Sequence, residues 1–256
     1  MKLGRYALFF VLGAGLVGSL FYPSEGIPEE TTLFSLPLSE EVIPIEEAEK
    51  PSPVYSLPAP NASTFRKALT TKFWVGEDAG PENGFIANHD SYWDVGWVER
   101  YGGVDAPNCR ENFFPCGFTP AENPFYFALP YGEFREGGTV LKESAKSIPW
   151  YSSSDRAPLL KNRWIEVTYQ DTTCYGQWED VGPFLTDDFG YVFGDKPPSN
   201  GLSVGAGLDI SPALWDCLEL KTNSITEWRF VKESEVPKGP WREIVTTSPV
   251  NWTRVE

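Results

Sequence analysis

The chain of 256 residues contains one histidine, one methionine and four cysteines. A structural zinc site takes four Cys or His ligands at short, regular spacings. A lone His89 and cysteines at 109, 116, 174 and 217 do not supply such a set, so neither a metal nor a cofactor is expected. No Gly-x-Ser-x-Gly elbow is present, which argues against His89 in a serine triad. Positive charge is also scarce: 21 Lys and Arg stand against 36 Asp and Glu, a formal charge of −15. Nothing here makes the basic stripe that a nucleic acid needs, and anionic lipid is equally disfavoured. A neutral glycan suits this balance better. Helical periodicity is rare beyond residue 63, and no internal repeat recurs at a fixed period.

Long hydrophobic runs are absent except for Tyr6 to Tyr22, which follows Lys2 and Arg5. Residues 1–22 therefore read as a signal peptide or a signal anchor. No clean Ala-x-Ala cleavage site follows, and no cysteine that would carry a lipid, so residues 6–22 are a possible membrane tether. In either case the remainder is expected to be secreted or to lie in the periplasm or cell envelope. An even number of cysteines fits that oxidising setting. Local pairing suggests Cys109 with Cys116 and Cys174 with Cys217, although three pairings exist on paper.

Residues 23–62 hold eight prolines, eight acids and one Lys without sustained periodicity, the composition of a disordered linker. Residues 63–256 then form one domain long enough for a proper core. Short aromatic runs punctuated by Gly, Pro and Asn mark it as all-β. Strands are expected at Thr70–Val75, Arg163–Tyr169, Thr173–Asp180 and Ile225–Val231, with another strand leading into a helix at Ala213–Leu220. Ser211 would cap that helix and Pro212 would begin it. Residues 80–125 read as a long loop insertion, the kind of segment that carries function.

The segment Cys174 to Phe184 carries the chemistry. Strand alternation would put Cys174, Gly176, Trp178 and Asp180 on one face. A carboxyl dried by an indole has a raised pKa and suits a general acid. The rival reading has Asp180 accepting turn amides. His89, Asp90 and Asp94 lie close together in sequence and offer a second acid or base, or else a hydrogen-bonded loop knot. Ten tryptophans supply flat faces for sugar C–H surfaces, with Trp93 and Trp97 the leading pair beside Trp74 and Trp150. Core packing is the alternative for each.

Three segments together resemble the rare lipoprotein A and expansin-like family. Glu179-Asp-Val-Gly-Pro-Phe184 is similar to that family's Asn-Asp-Arg-Gly-Pro-Phe, and Gly207-Leu-Asp-Ile-Ser-Pro-Ala213 to its Ile-Asp-Leu-Ser-Pro-Ala. Ala128-Leu-Pro-Tyr-Gly132 resembles its Leu-Pro-Phe-Gly stretch, and the order agrees over residues 125–232. The resemblance implies a six-stranded double-psi β-barrel that cleaves or binds cell-wall polysaccharide. On it, Asp180, Tyr126 and Asp94 become candidate catalytic residues, and Trp178, Trp93, Trp97, Tyr131 and Glu179 candidate sugar contacts. Tyr126 stands where the family carries a His, while Glu179 and Val181 replace an Asn and an Arg. Asp209 matches a family acid, yet its position two residues before Ser211 suggests a structural role at the helix start. A lone Asp180 points to lytic transglycosylase chemistry on peptidoglycan; a second carboxyl would restore hydrolysis. Wall binding without cleavage, or a protein-docking scaffold, are the alternatives.

Overall fold

The computed structural model describes residues 64–135, 138–154, 158–201 and 205–252. The leader and linker expected at 1–22 and 23–62 lie outside these residues. Eight strands form, in chain order: β1 Arg66–Lys72, β2 Arg110–Glu111, β3 Phe114–Pro115, β4 Tyr126–Leu129, β5 Trp164–Tyr169, β6 Thr172–Val181, β7 Ala206–Ile210 and β8 Ser224–Val231. Six of them close a barrel in the order β1-β7-β4-β6-β5-β8, while β2 and β3 make a separate two-stranded ribbon. The all-β, six-stranded closed barrel expected from the sequence is present.

The barrel is mixed. β1 runs parallel to β7 and β4 parallel to β6, and the other four pairings are antiparallel. Exchanging the first three barrel strands (β1, β4, β5) with the last three (β6, β7, β8) returns the same cyclic order and the same sense for every pair. The pseudo-two-fold relating the halves therefore passes between β4 and β7, the two strands it interchanges at the centre.

Side chains fill the barrel. Phe127, Leu129, Ile165, Val167, Trp178, Leu208, Ile210, Trp228 and Phe230 belong to one buried cluster. A six-stranded barrel of this kind has no room for a polymer inside it, so any site lies on the outer surface. The opposite face of β4 is covered by a second cluster of Phe73, Val75, Trp97, Tyr101, Tyr126 and Ala128. This explains a shift in the first strand, expected at Thr70–Val75 and found at Arg66–Lys72. Phe73, whose N–H still bonds the Ile210 carbonyl at 3.2 Å, ends the ladder, and Val75 leaves it for the Tyr126 hydroxyl; both join that outer core. Within the insertion, a five-residue helix, α1 (Trp97–Tyr101), packs Trp97 and Tyr101 onto Tyr126, at 5.3 and 5.9 Å between rings.

Two further helices are short: α2 (Phe189–Val192) and α3 (Pro212–Cys217). Ser211 caps α3 as expected, its hydroxyl accepting the Leu214 N–H at 3.2 Å, and Pro212 fills the first helical position. Both expected disulfides are present, Cys109–Cys116 across the β2–β3 ribbon and Cys174–Cys217 tying β6 to α3. They fit an oxidising compartment. Among the described residues no helix is long and apolar enough to cross a membrane.

The two bridges close loops of different length, with sequence separations of 43 and 7 residues. Loop-closure entropy then makes loss of Cys174–Cys217 cost about 4 kcal/mol, against about 2 kcal/mol for Cys109–Cys116. Urea unfolding of the two double-serine variants measures this, and equal losses would contradict it.

Candidate functional site

The site begins with one extra residue in β6. Phe127 of β4 pairs with Trp178, but the next residue, Ala128, pairs with Asp180, so Glu179 is a bulge. Neighbours on a strand face opposite ways. With Trp178 beside Phe127 inside the barrel, Asp180 therefore stands beside Ala128 on the outside. The single face expected for Cys174, Gly176, Trp178 and Asp180 breaks at this bulge. Trp178 is fully buried and stacks on Phe230 with ring centres 5.8 Å apart. Its indole N–H donates to the Asp180 main-chain carbonyl at 2.7 Å, fixing the backbone instead of drying the carboxyl.

A second acid stands across the same strand. Ala128 pairs with Asp180 on one side and with Asp209 on the other, and Asp209 pairs in turn with Thr71. Asp180, Ala128, Asp209 and Thr71 thus form one lateral row over β6, β4, β7 and β1. The two aspartate backbones are separated by two strand spacings, roughly 10 Å. Ala128 contributes only a methyl group between them. The Gly182–Pro183 turn folds against the row: a Cβ at Gly182 would lie 3.8 Å from Asp209 Oδ2 and 3.9 Å from the Ala128 methyl.

Each acid has a defined partner. Asp180 Oδ1 accepts the Tyr92 N–H at 2.7 Å, and the Tyr92 hydroxyl is anchored at 2.9 Å to both the carbonyl and the amide of Phe134. Asp209 Oδ1 accepts the Thr71 hydroxyl. Asp209 does not cap α3, since Ser211 does so itself; its hydrogen bond ties β7 to β1 through Thr71 instead of holding amides at the helix start. Glu77, on the loop after β1, accepts the Asn88 side-chain amide at 2.7 Å.

Burial pushes the Asp180 carboxyl up to about 7, further raised by the charge of Asp209 and opposed by the Tyr92 and Val181 amides. Burial likewise raises Asp209 to about 7, against its bond from Thr71 and with a contribution from Glu77. Glu77 is raised for the same first reason. Interacting carboxyls lose their protons in steps that belong to the group. Carboxyls raised toward neutral pH are suited to donating or accepting a proton there.

The other sequence candidates are accounted for elsewhere. Tyr126 is 1% exposed; its hydroxyl donates to Asp105 Oδ2 and accepts the Val75 N–H, each at 2.9 Å. It orients the loop core and does not reach Asp180 as the catalytic partner expected. Asp94 is equally buried and is occupied by the Arg100 guanidinium and the Gly96 N–H. It is a loop clamp and not a second catalytic acid. His89 is exposed, 2.9 Å from Asp78 Oδ1, and Asp90 is exposed.

The expected sugar contacts are corrected as a group, because Trp178, Trp93, Trp97, Tyr131 and Glu179 are all 1% exposed or less. Trp93 donates to both carboxylate oxygens of Glu133 at 3.2 Å, and Trp97 to Glu122 at 3.0 Å. Tyr131 bonds Ser144 at 2.9 Å, and Glu179 pairs with Lys161. Trp150 is half-buried, donating to the Leu159 carbonyl under the Arg163 guanidinium, and Trp74 is half-buried too. The indoles fill the barrel and seat the long loop, with a buried acceptor for each ring N–H named here.

An exposed apolar lip went unread in the sequence. Gly84, at φ +65°, presses against the Phe184 ring, where a Cβ would come within 2.6 Å. That contact seats the 80–88 loop beside the turn that follows Asp180. The next residues, Phe85 and Ile86, are 71% and 47% exposed. Their sequence signal was weak, a Gly-Phe-Ile run inside a loop. Among the described residues no cluster of three His, Cys, Asp or Glu is arranged to hold a metal ion.

No protein-family model matches the chain, and no curated protein matches it. The likeness to the rare lipoprotein A and expansin-like family rests on its three short segments.

The raised Asp180 carboxyl has a consequence for stability. An unfolded Asp titrates near about 3.9. Between that value and about 7 the folded chain holds a proton that the unfolded chain has released. Stability from this group is therefore complete well below about pH 3.9 and is lost as the pH rises to about 7. Asp180→Asn is expected to gain up to about 4 kcal/mol relative to wild type on going from pH 4 to pH 8. Urea unfolding at both pH values measures it; a pH-independent difference would refute the protonated carboxyl.

Proposed function

We propose that this is an exported protein that acts on cell-wall glycan at the outer barrel face carrying Asp180 and Asp209. The observation that supports this reading is the pair of carboxyls flanking Ala128, both raised to about 7. Cleaving a glycosidic bond needs a proton for the departing oxygen, and Asp180 is the donor. Asp209 is the second carboxyl that the sequence reading sought among the 90–94 residues. It opens a hydrolytic route beside the lytic one, in which a sugar hydroxyl replaces water.

Two supports are independent of these acids. The two disulfides suit an oxidising, extracellular setting. The negative charge disfavours polyanions and leaves neutral stretches of glycan, peptidoglycan included, as the substrate class. Phe85 and Ile86 supply the apolar lip against which a sugar ring packs.

One observation favours a second reading. Asp180 is only 9% exposed and bonded to Tyr92, as in a wall-binding module or docking scaffold that never transfers a proton.

Incubation of the full chain with insoluble peptidoglycan separates the readings. Anhydro-ended fragments support lytic cleavage by Asp180, reducing ends support hydrolysis with Asp209 as partner, and retention without products supports binding alone. Asp180→Asn is expected to reduce turnover by at least about a hundredfold, the usual contribution of a general acid, while retention persists. Unchanged turnover would remove Asp180 from the chemistry. Phe85→Ala is expected to weaken glycan retention several-fold, by about 1 kcal/mol for one lost stacking contact. Co-sedimentation measures it, and unaltered retention would remove the lip from the site.

A further inference from the structure

We propose that Lys161 and Glu179 become joined by a side-chain amide that the folded chain forms by itself. Lys161 Nζ lies 2.6 Å from Glu179 Oε2, and the two side chains are 3% and 2% exposed. Both are held by backbone ladders. The Trp178 N–H bonds the Arg163 carbonyl at 2.8 Å, and the Asn162 N–H bonds the Trp178 carbonyl at 3.0 Å. Glu179 is the bulge residue, so neither ordinary face of β6 accounts for where its side chain goes. Its Oε1 is buried without a well-formed hydrogen bond, with the Thr246 hydroxyl nearby.

A third group completes the cluster. The Glu122 carboxyl interacts electrostatically with both Lys161 and Glu179, and its Oε2 accepts the Trp97 indole N–H at 3.0 Å. Burial raises Glu122 and Glu179 alike, Glu179 to about 7, which favours their acid forms. Arg100 and Asp94 act on Glu122 from the α1 side with opposite signs.

An ion pair taken out of water is costly to maintain. Moving one proton from the ammonium to the carboxylate gives a neutral amine beside a neutral acid, the pair from which an amide forms. The nitrogen then attacks Glu179 Cδ. A C–N bond forms, one C–O bond breaks, a proton passes from the nitrogen to the departing hydroxyl, and one water leaves. No oxidant, nucleotide or metal enters the balance. Fixed contact between amine and carboxyl replaces the activation that an amide otherwise needs, since positioning alone is worth many orders of magnitude. The product ties the β5 side of the hairpin to the bulge that turns Asp180 outward.

Mass spectrometry of the purified full chain decides the matter. After reduction of both disulfides and assignment of the N-terminal residue, wild type is expected to weigh one water less than its sequence. Trypsin should then fail to cut after Lys161 and should release a branched peptide joining it to Glu179. Lys161→Arg is expected to restore the full mass. Wild type at full mass, with ordinary tryptic cleavage after Lys161, overturns the proposal. The outcome does not depend on any action on glycan.

Discussion

The bulge at Glu179 is the constraint on which the candidate site depends. A β-strand places alternate residues on one face, and Trp178 is committed to the barrel interior by its contacts with Phe127, Phe193 and Phe230. Without an inserted residue, Asp180 would follow Trp178 inward, into a core with no partner for a carboxyl. One extra residue reverses the parity, and the indole N–H to the Asp180 carbonyl locks the reversal. The same insertion sends Glu179 toward Lys161, so two acids adjacent in sequence serve different surroundings.

The closed barrel supplies the rest of the arrangement. The pseudo-two-fold runs between β4 and β7, so the row from Asp180 to Thr71 straddles it. Strands from both halves of the domain meet there: β1 and β4 from the first, β6 and β7 from the second. Acids 29 residues apart in sequence stand over one alanine only because the parallel pairings interleave the halves. The loop after β1 and the loop bearing Tyr92 then shield the row from water, which raises Asp180, Asp209 and Glu77 together.

The buried charges follow a consistent pattern. Glu133 accepts the Trp93 indole and the Leu159 and Leu160 amides, and Asp105 accepts Tyr126 and pairs with Arg110. Asp94 clamps Arg100, whose guanidinium also covers Trp252. Carboxylates thus take the place that regular secondary structure would fill in holding the 73–125 loop, because a loop carries polar groups that must be satisfied locally. Against that background Asp180 and Asp209, like Glu133, form no ion pair among the described residues, and they flank a single alanine.

Much of the fold was legible along the chain. The all-β class, the β5 to β6 hairpin, β8 and the Ser211 cap with Pro212 follow from local chemistry: alternation, turn residues and a cap hydroxyl; the disulfides are the suggested pairing of the three that the sequence allows. The four-residue β4 carried no such mark, since Tyr126 to Leu129 are all buried and show no alternation. Asp180 was legible as a candidate from its segment. Its outward direction, its partner Asp209 and the burial of Trp93, Trp97, Trp178 and Tyr131 were not. Periodicity along one strand cannot reveal a bulge, which exists only in the pairing with another strand. Nor can a count of tryptophans say whether an indole faces water or a core. The amino-acid order alone determined the all-β class, the β5 to β6 hairpin and the capped helix, which rest on local chemistry; long-range register decided which cysteines join and which acids meet, because register is a relation between strands and has no local signature.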